Sequence, residues 1–448
     1  MVSYRQFLQF LPEVSGPKQK NLAFKKKLTW TGLILVLFFM LRSVPLFGLD
    51  QTIFDFEFMS VVLGASFGSI VTLGIGPIVT ASIVLQLLKG SGMLSIDTST
   101  VEGKNLFQGT QKLLTYGFII LEAIIYVMMG GLTSMPNISP WVLIIQIIIG
   151  GIIIVFMDDI INKWGFGSGV SLFIVAGVSQ QIFIQMFSFL HPTTNPDAYV
   201  GALWELLRSI STGSLADAGI HLGSIIATLV VFGVVVYAQA MKVEIPLSFG
   251  RIRGHGIRWP LNFIYTSVIP VILVSALVAN LRLFSNLLAN RGHDWLTGIV
   301  PYLSNTNLLQ NIIQYGLFDV PTKIYIQSLT YILFFIGASV LFSWFWMQTA
   351  GLDPRSQAKQ MMSSGLQIPG FRKDARVLER LLKRYIYPLT IMGGIFIGLL
   401  ASVADMTGAF GSGTGLLLAV MIVYKLYEDI AKQHMEDMNP MMRKFMGK

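Results

Sequence analysis

The chain has no cysteine, which excludes disulfides and thiolate metal sites. Its five histidines, His191, His221, His255, His293 and His434, are scattered without metal-ligand spacing, so neither a metal nor a cofactor is expected. Charge is scarce as well. Only 12% of residues are charged while 53% are hydrophobic, and the mean hydropathy is +0.66. Soluble domains carry about 25% charged residues, so this balance belongs to a polytopic membrane protein. A nucleotide-binding Gly-Lys-Ser/Thr loop and a catalytic constellation are both missing. An enzyme is therefore not expected, and any driving force has to come from a partner. Arg5, Lys18, Lys20 and Lys25–Lys27 precede the first long apolar run, and no small-residue cleavage site follows it; no cleavable signal is expected.

What is present is a series of apolar runs. A spanning helix needs about 20 predominantly apolar residues. Runs that qualify lie near 28–47, 74–92, 109–130, 139–157, 167–188, 220–240, 261–281, 327–348, 386–403 and 410–428. The expected fold is an all-α polytopic membrane protein of ten transmembrane helices, with both termini on one side. Of the 32 Lys and Arg, all but Arg42, Arg208, Arg282, Arg291 and Lys323 fall on that side, which predicts cytoplasmic termini in the cell membrane. The net charge of +9 is thus concentrated on one face. Most of it lies in two cytoplasmic loops, 242–260 and 351–385. Two readings of these loops stand side by side: attraction to anionic lipid headgroups, or docking of a large polyanion such as ribosomal RNA. Five spans per half require the second half, 201–448, to run inverted relative to the first, 1–200. No residue-level identity between the halves stands out.

The second run is broken near its start by Gly74, Gly76 and Pro77, and the seventh carries Pro270. A broken helix in lipid survives only inside protein or beside a wet cavity, and paired breaks in two halves point to a transport pathway. Ionisable ligands, which mark most solute sites, are nearly absent from the spans. Glu122 is the deep candidate, either functional or a hydrogen-bonded carboxyl between helices. Asp158, Asp159 and Asp405 sit at span ends. The alternative is a pathway lined by aliphatic side chains that seals by packing and dewetting. Candidates are Ile75, Val79, Val170, Ile174, Ile272 and Leu418, each close to a glycine or proline. Residues 54–65 suit a short amphipathic helix, too short to span, that is either interfacial or functional.

The stretch Thr72–Leu88 closely resembles the second transmembrane helix of the SecY family of protein-conducting channels. Phe107–Leu114, Gly165–Ile174, Val243–Leu247 with Gly250–Arg253, Gly370–Lys373, Leu381–Tyr385 and Gly413–Leu418 resemble the same family in the same order and spacing. The wording of Gly74–Thr80 and Val243–Leu247 is archaeal or eukaryote-like. The resemblance implies that the six aliphatic candidates form a constriction ring. Val170 is smaller than the isoleucine usual there, which leaves the ring slightly looser at that point. It implies a lateral gate with a polar cluster of Thr80, Glu122 and Asn280, through which signal sequences and nascent helices leave for the membrane lipids. It implies a plug at about 54–68, including Phe54, Phe56, Phe58, Met59, Val62, Leu63 and Gly64, with Gly64 and Gly68 as hinge. Arg251, Arg253, Arg372 and Lys373 fall at positions that contact a ribosome or motor. Small SecE-type and SecG/Sec-beta-type membrane subunits are implied partners. Two other classes remain open: a secondary transporter, which needs polar ligands among Thr72, Thr80, Ser82, Thr266 and Ser267 at the breaks, and a poreless insertase or scaffold.

Overall fold

The computed structural model describes residues 12–18, 22–49, 68–90, 93–94, 96, 100–129, 131–191, 198–249, 256–266, 268–289, 295–363, 366–367 and 375–438. Long helices occupy all ten apolar runs. They are α1 (Phe24–Arg42), α2 (Gly76–Gly90), α3 (Val101–Met128), α4 (Pro140–Trp164), α5 (Gly169–Phe187), α7 (Leu215–Ala240), α8 (Ile269–Ala289), α10 (Thr322–Thr349), α12 (Ala375–Met406) and α13 (Gly413–Met438). Short helices α6 (Ala202–Thr212), α9 (Leu308–Tyr315) and α11 (Pro354–Ser363) fill the connections. Among the described residues, seven helices are long and apolar enough to cross a membrane, and α2 is a shorter apolar helix. In α1 and α13 charge intrudes at one end, through Lys25–Lys27 and through Lys425, Glu428 and Asp429.

The fold is not wholly helical. The loop 242–260 is a β-hairpin, β1 (Lys242–Phe249) and β2 (Gly256–Asn262), and β3 (Leu366–Gln367) adds to it in the order β2-β1-β3. The seventh span therefore starts at Ile269 rather than at 261, because the chain up to Asn262 is paired as a strand. Alternation explains the hairpin. Val243 and Ile245 face Leu261 and Trp259 across the ladder on one side, while Glu244 and Arg258 take the other, with an ion pair of 3.0 Å. The apolar side sits on a second core, separate from that of the spans, made with Met347 of α10, Met361 of α11 and Leu378, Leu382 and Ile386 of α12.

The main core lies among the spans. Within the second run, 15 residues at 1.5 Å each reach about 22 Å, short of the ~30 Å hydrocarbon layer. The preceding segment 69–75 supplies the remainder as a chain of turns. Thr72, Gly74 and Gly76 donate their N–H groups to Ser69, Val71 and Leu73 at 2.9–3.0 Å, and Val71, Thr72, Leu73 and Ile75 are buried. This is non-helical backbone satisfied and enclosed by protein, as a lipid setting requires. Gly150 of α4 makes room for it.

The two halves share the paired prolines expected from sequence and, beyond them, a four-residue identity that the sequence reading did not mark. α2 and α8, each the second long helix of its half, both open one residue before a proline, Pro77 and Pro270, where the missing N–H costs nothing. α5 and α13, each the fifth, both follow Phe-Gly-Ser-Gly, at 166–169 and 410–413, with Gly167 and Gly411 at φ +70° and +72°. Each is capped by an aspartate of the preceding helix, half-buried Asp158 and buried Asp405: Asp158 Oδ1 accepts from the Val170 N–H and Asp405 Oδ1 from the Thr414 N–H, both at 2.9 Å. The identity escaped notice because it is four residues long and the spacing from aspartate to glycine differs between the copies.

A methyl group at Gly150 would stand 1.8 Å from the Ile70 carbonyl oxygen. Gly150→Ala is expected to cost about 1–3 kcal/mol by overpacking, read as a lower unfolding temperature of the detergent-solubilised protein. Gly117→Ala, at a position with nothing within 4 Å, serves as the near-neutral control.

Candidate functional site

Four helices and one turn deliver the six aliphatic candidates. Ile75 closes the buried turn ahead of α2, and Val79 sits two residues after Pro77. Val170 and Ile174 lie on the first turns of α5, Ile272 sits two residues after Pro270 in α8, and Leu418 lies on α13. The internal correspondence pairs Val79 with Ile272 and Ile174 with Leu418. Ile75, Ile174 and Leu418 have no exposed surface, and Val79 and Ile272 are 4% and 5% exposed. Five belong to one apolar cluster and Val170 packs against it, half-buried. Such a set offers no ligand to a solute; it excludes water by contact.

Beside this cluster runs the seam between the halves, where α2 packs on α8 and α10. Asn280 of α8 donates to Thr80 Oγ1 of α2 at 3.1 Å. The Glu122 carboxyl of α3 is hydrogen-bonded to the same Thr80 and is buried. The structure thus brings together all three predicted polar residues, with Thr80 in the middle. Gln111 of α3 donates to Ser82 Oγ of α2 at 2.7 Å, a further polar strut between α2 and α3.

The hydroxyls that a transporter would need at the breaks are used internally. Thr72 Oγ1 donates to the Ser69 carbonyl at 2.5 Å, Ser82 to the Ile78 carbonyl at 2.9 Å, and Thr266 to Ser343 at 3.2 Å; Ser267 lies outside the described residues. No cluster that would hold a metal ion occurs among the described residues.

A family model named SecY matches residues 69–427. The chain belongs to the SecY family. It is 45% identical to protein translocase subunit SecY of Methanothermobacter thermautotrophicus, over 99% of this chain and 98% of that one. To the same subunit of Methanocaldococcus jannaschii it is 41% identical, covering 98% of each. A solved structure described as a protein conducting channel superposes with a TM-score of 0.81 at 40% identity, covering 96% of this chain and 97% of that one. Sec61 in the canine ribosome-channel complex from the endoplasmic reticulum gives 0.79 at 39% identity, with the same coverage. The chain is accordingly a multi-pass, largely α-helical membrane protein.

Of the other SecY positions named from sequence, the plug residues Phe54, Phe56, Phe58, Met59, Val62, Leu63 and Gly64 lie outside the described residues, as do Arg251, Arg253, Arg372 and Lys373. Their mounts are described. Gly68 has φ +82°, its carbonyl accepts from Leu46 N–H at 2.8 Å, and a Pro45–Ser69 bridge pins the chain leaving the plug segment. The hairpin β1–β2 brackets Arg251 and Arg253. Arg258, Arg355, Lys359, Arg376, Arg380, Lys383 and Arg384 are exposed, whereas Leu378, Leu382 and Ile386 of the same helix face inward.

Sequence reasoning missed the capping role of Asp158 and Asp405 and the part played by Tyr331, whose Oη donates to Asp405 Oδ2 at 2.6 Å. The signal for the caps was the repeated Phe-Gly-Ser-Gly; nothing in the sequence singles out Tyr331.

Asn280→Leu is expected to lower stability by about 1 kcal/mol through loss of the α2–α8 hydrogen bond. Thr80→Val combined with it should cost less than the sum of the single changes, a double-mutant cycle that thermal unfolding checks.

Proposed function

We propose that this chain is the central pore-forming subunit of a Sec protein translocation channel. It conducts unfolded secretory polypeptides across the membrane and releases transmembrane helices sideways into lipid. The observation that carries this reading is that six aliphatic side chains from both halves lie in or against the main buried core, next to a polar seam. The kinship of the whole chain to a solved protein conducting channel supports it.

The chemistry suits the cargo. A polypeptide has no common side chain to recognise, so a path for it has to be indifferent, and aliphatic walls close by contact and part around any chain. The seam needs to open to a hydrophobic helix. One hydrogen bond, Asn280 to Thr80, is weak enough net for the signal helix to displace. We read segment 54–68, of which only Gly68 is among the described residues, as the plug, with Gly64 and Gly68 as its hinge; the positive φ of Gly68 is a backbone state that glycine adopts at little cost. The halves 1–200 and 201–448 are the inverted units, a division supported by the paired proline starts and the repeated capped glycines.

On the cytoplasmic side, Arg251, Arg253, Arg372 and Lys373, in the loops next to the sheet in sequence, contact a translating ribosome, whose RNA phosphates match the cationic charge of these loops. A relative seen in a ribosome-channel complex supports this. SecE-type and SecG/Sec-beta-type subunits flank the channel. The location is the plasma membrane with both termini cytoplasmic, supported by the charge asymmetry. The secondary-transporter reading is not favoured, because the hydroxyls described at the breaks bond to the protein itself.

Photocrosslinking from position 272, with a ribosome-stalled secretory chain threaded into reconstituted membranes, tests the reading. A signal-dependent crosslink to the middle of the stalled chain is expected. Its absence, with insertion shown by a control, removes Ile272 from the path. Replacing Ile75 and Ile272 together by serine is expected to raise resting ion conductance in planar bilayers several-fold, since polar walls wet where aliphatic ones do not.

A further inference from the structure

The two matched caps differ in one respect. Asp158 of α4 holds the start of α5, and its other oxygen accepts from Asn162 of its own helix at 2.9 Å. Asp405 of α12 holds the start of α13, but its second oxygen reaches across the molecule. Tyr331 of α10 donates to Oδ2 at 2.6 Å, and the Thr414 hydroxyl donates to the same oxygen. Arg282 of α8 lies close enough to attract the carboxylate. Asp405, Tyr331 and Thr414 are each 1% exposed. The C-terminal cap therefore has ties to α8 and α10, the two helices that pack against α2 at the seam, whereas Asp158 is attracted by Lys112 of α3 and its described hydrogen bonds stay within α4 and α5.

Leu418 lies four residues beyond Thr414, on the same face of α13 one turn further in. Whatever sets the position of Thr414 sets that of Leu418. We propose that Asp405 and Tyr331 are positioning residues that couple the gate helices to the constriction: the Tyr331–Asp405 hydrogen bond holds α13, and with it Leu418, in the sealed arrangement only while α10 stays in its seam-closed place. This rests on the reading of Leu418 as part of the pore ring. The bond is made in the arrangement whose ring residues Ile75, Ile174 and Leu418 are fully enclosed. Its loss weakens that arrangement relative to any in which α10 and α13 separate.

The direction of the effect follows. Tyr331→Phe keeps the ring and its edge contact with Phe335 and deletes only the donor. It is expected to raise translocation of a substrate with a defective signal sequence about tenfold, the worth of one hydrogen bond to a charged group. Asp405→Asn is expected to do the same, and the double variant no more than either alone. Gly117→Ala, at a position with nothing within 4 Å, is expected to leave that rate unchanged. A gain of function of this kind is not what misfolding produces. Because the chain has no native cysteine, spin labels at Leu329→Cys on α10 and Val423→Cys on α13 report the distance between the helices directly. Tyr331→Phe should broaden that distribution. Unchanged rate and distance in Tyr331→Phe overturn the proposal, as does a Gly117→Ala phenotype equal to that of Tyr331→Phe. If Leu418→Ser leaves resting conductance at the wild-type level, the ring reading fails instead, and the label distance still decides whether Tyr331 ties α10 to α13.

Discussion

A helix that begins inside a membrane protein exposes its first N–H groups to surroundings without water, and the cost of leaving them unpaired is several kcal/mol each. Three helix starts next to the constriction meet this constraint in two ways. α2 is led in by a run of tight turns that bond to one another. α5 and α13 are received by aspartates on the preceding helices. The arrangement of Ile75, Ile174 and Leu418 follows from these solutions, because each lies within two turns of the start it depends on. Glycine is required at the approach for a related reason. A Cβ at Gly413 would lie 2.0 Å from the Ala404 carbonyl carbon, and one at Gly169 would lie 2.6 Å from Asp158 Cα.

The energetics of the path divide the polar from the apolar. At the six aliphatic positions proposed as the ring the side chains carry no polar group, so packing there gains apolar contact without offering a ligand to any solute. At the seam a single Thr80 is shared by Asn280 and Glu122. A fully apolar seam would hold tightly by packing, and an ion pair would be costly to separate. One hydroxyl bridging an amide and a carboxyl gives an intermediate strength, suited to a joint that a passing apolar helix has to open.

Much of this was legible in the sequence. The ten runs mark the ten long helices because apolar length is a strong signal in lipid, whereas Gly76, Pro77 and Pro270, read from sequence as breaks within spans, stand in the first turns of α2 and α8. Glu122 stood out as the deep ionisable residue, but its grouping with Thr80 and Asn280 came from resemblance, since the three lie on separate helices and no spacing along the chain connects them. Residues 256–260 were read as part of a loop, and only Leu261 and Asn262, the end of the strand Gly256–Asn262, were read into the seventh span, because the apolar run continues from them. The strand's partner, Lys242–Phe249, is visible only as alternation of period two. Tyr331 carried no signal at all: a tyrosine within an apolar helix looks the same whether its hydroxyl meets lipid headgroups or a buried carboxylate.

The two cores share α10 and α12, and a further link between them bears on how an event outside the membrane reaches the proposed path. β2 passes into α8 through residues 263–268, and this link is fastened on both sides: Tyr265 Oη donates to the Leu352 carbonyl at 2.7 Å, and Thr266 donates to Ser343 at 3.2 Å. Both partners belong to α10 or to the turn that ends it. A load on the hairpin is therefore transmitted to the first turn of α8, the helix that carries Ile272, Asn280 and Arg282, and to the cytoplasmic end of α10, the helix that carries Tyr331. Elements with few discrete arrangements transmit such displacements because packed cores deform little. The sheet serves accordingly as more than a mount for basic residues. It is the stiff handle on the two helices of the C-terminal half that line the seam, and its stiffness comes from the small second core built around Ile245, Leu382 and Ile386.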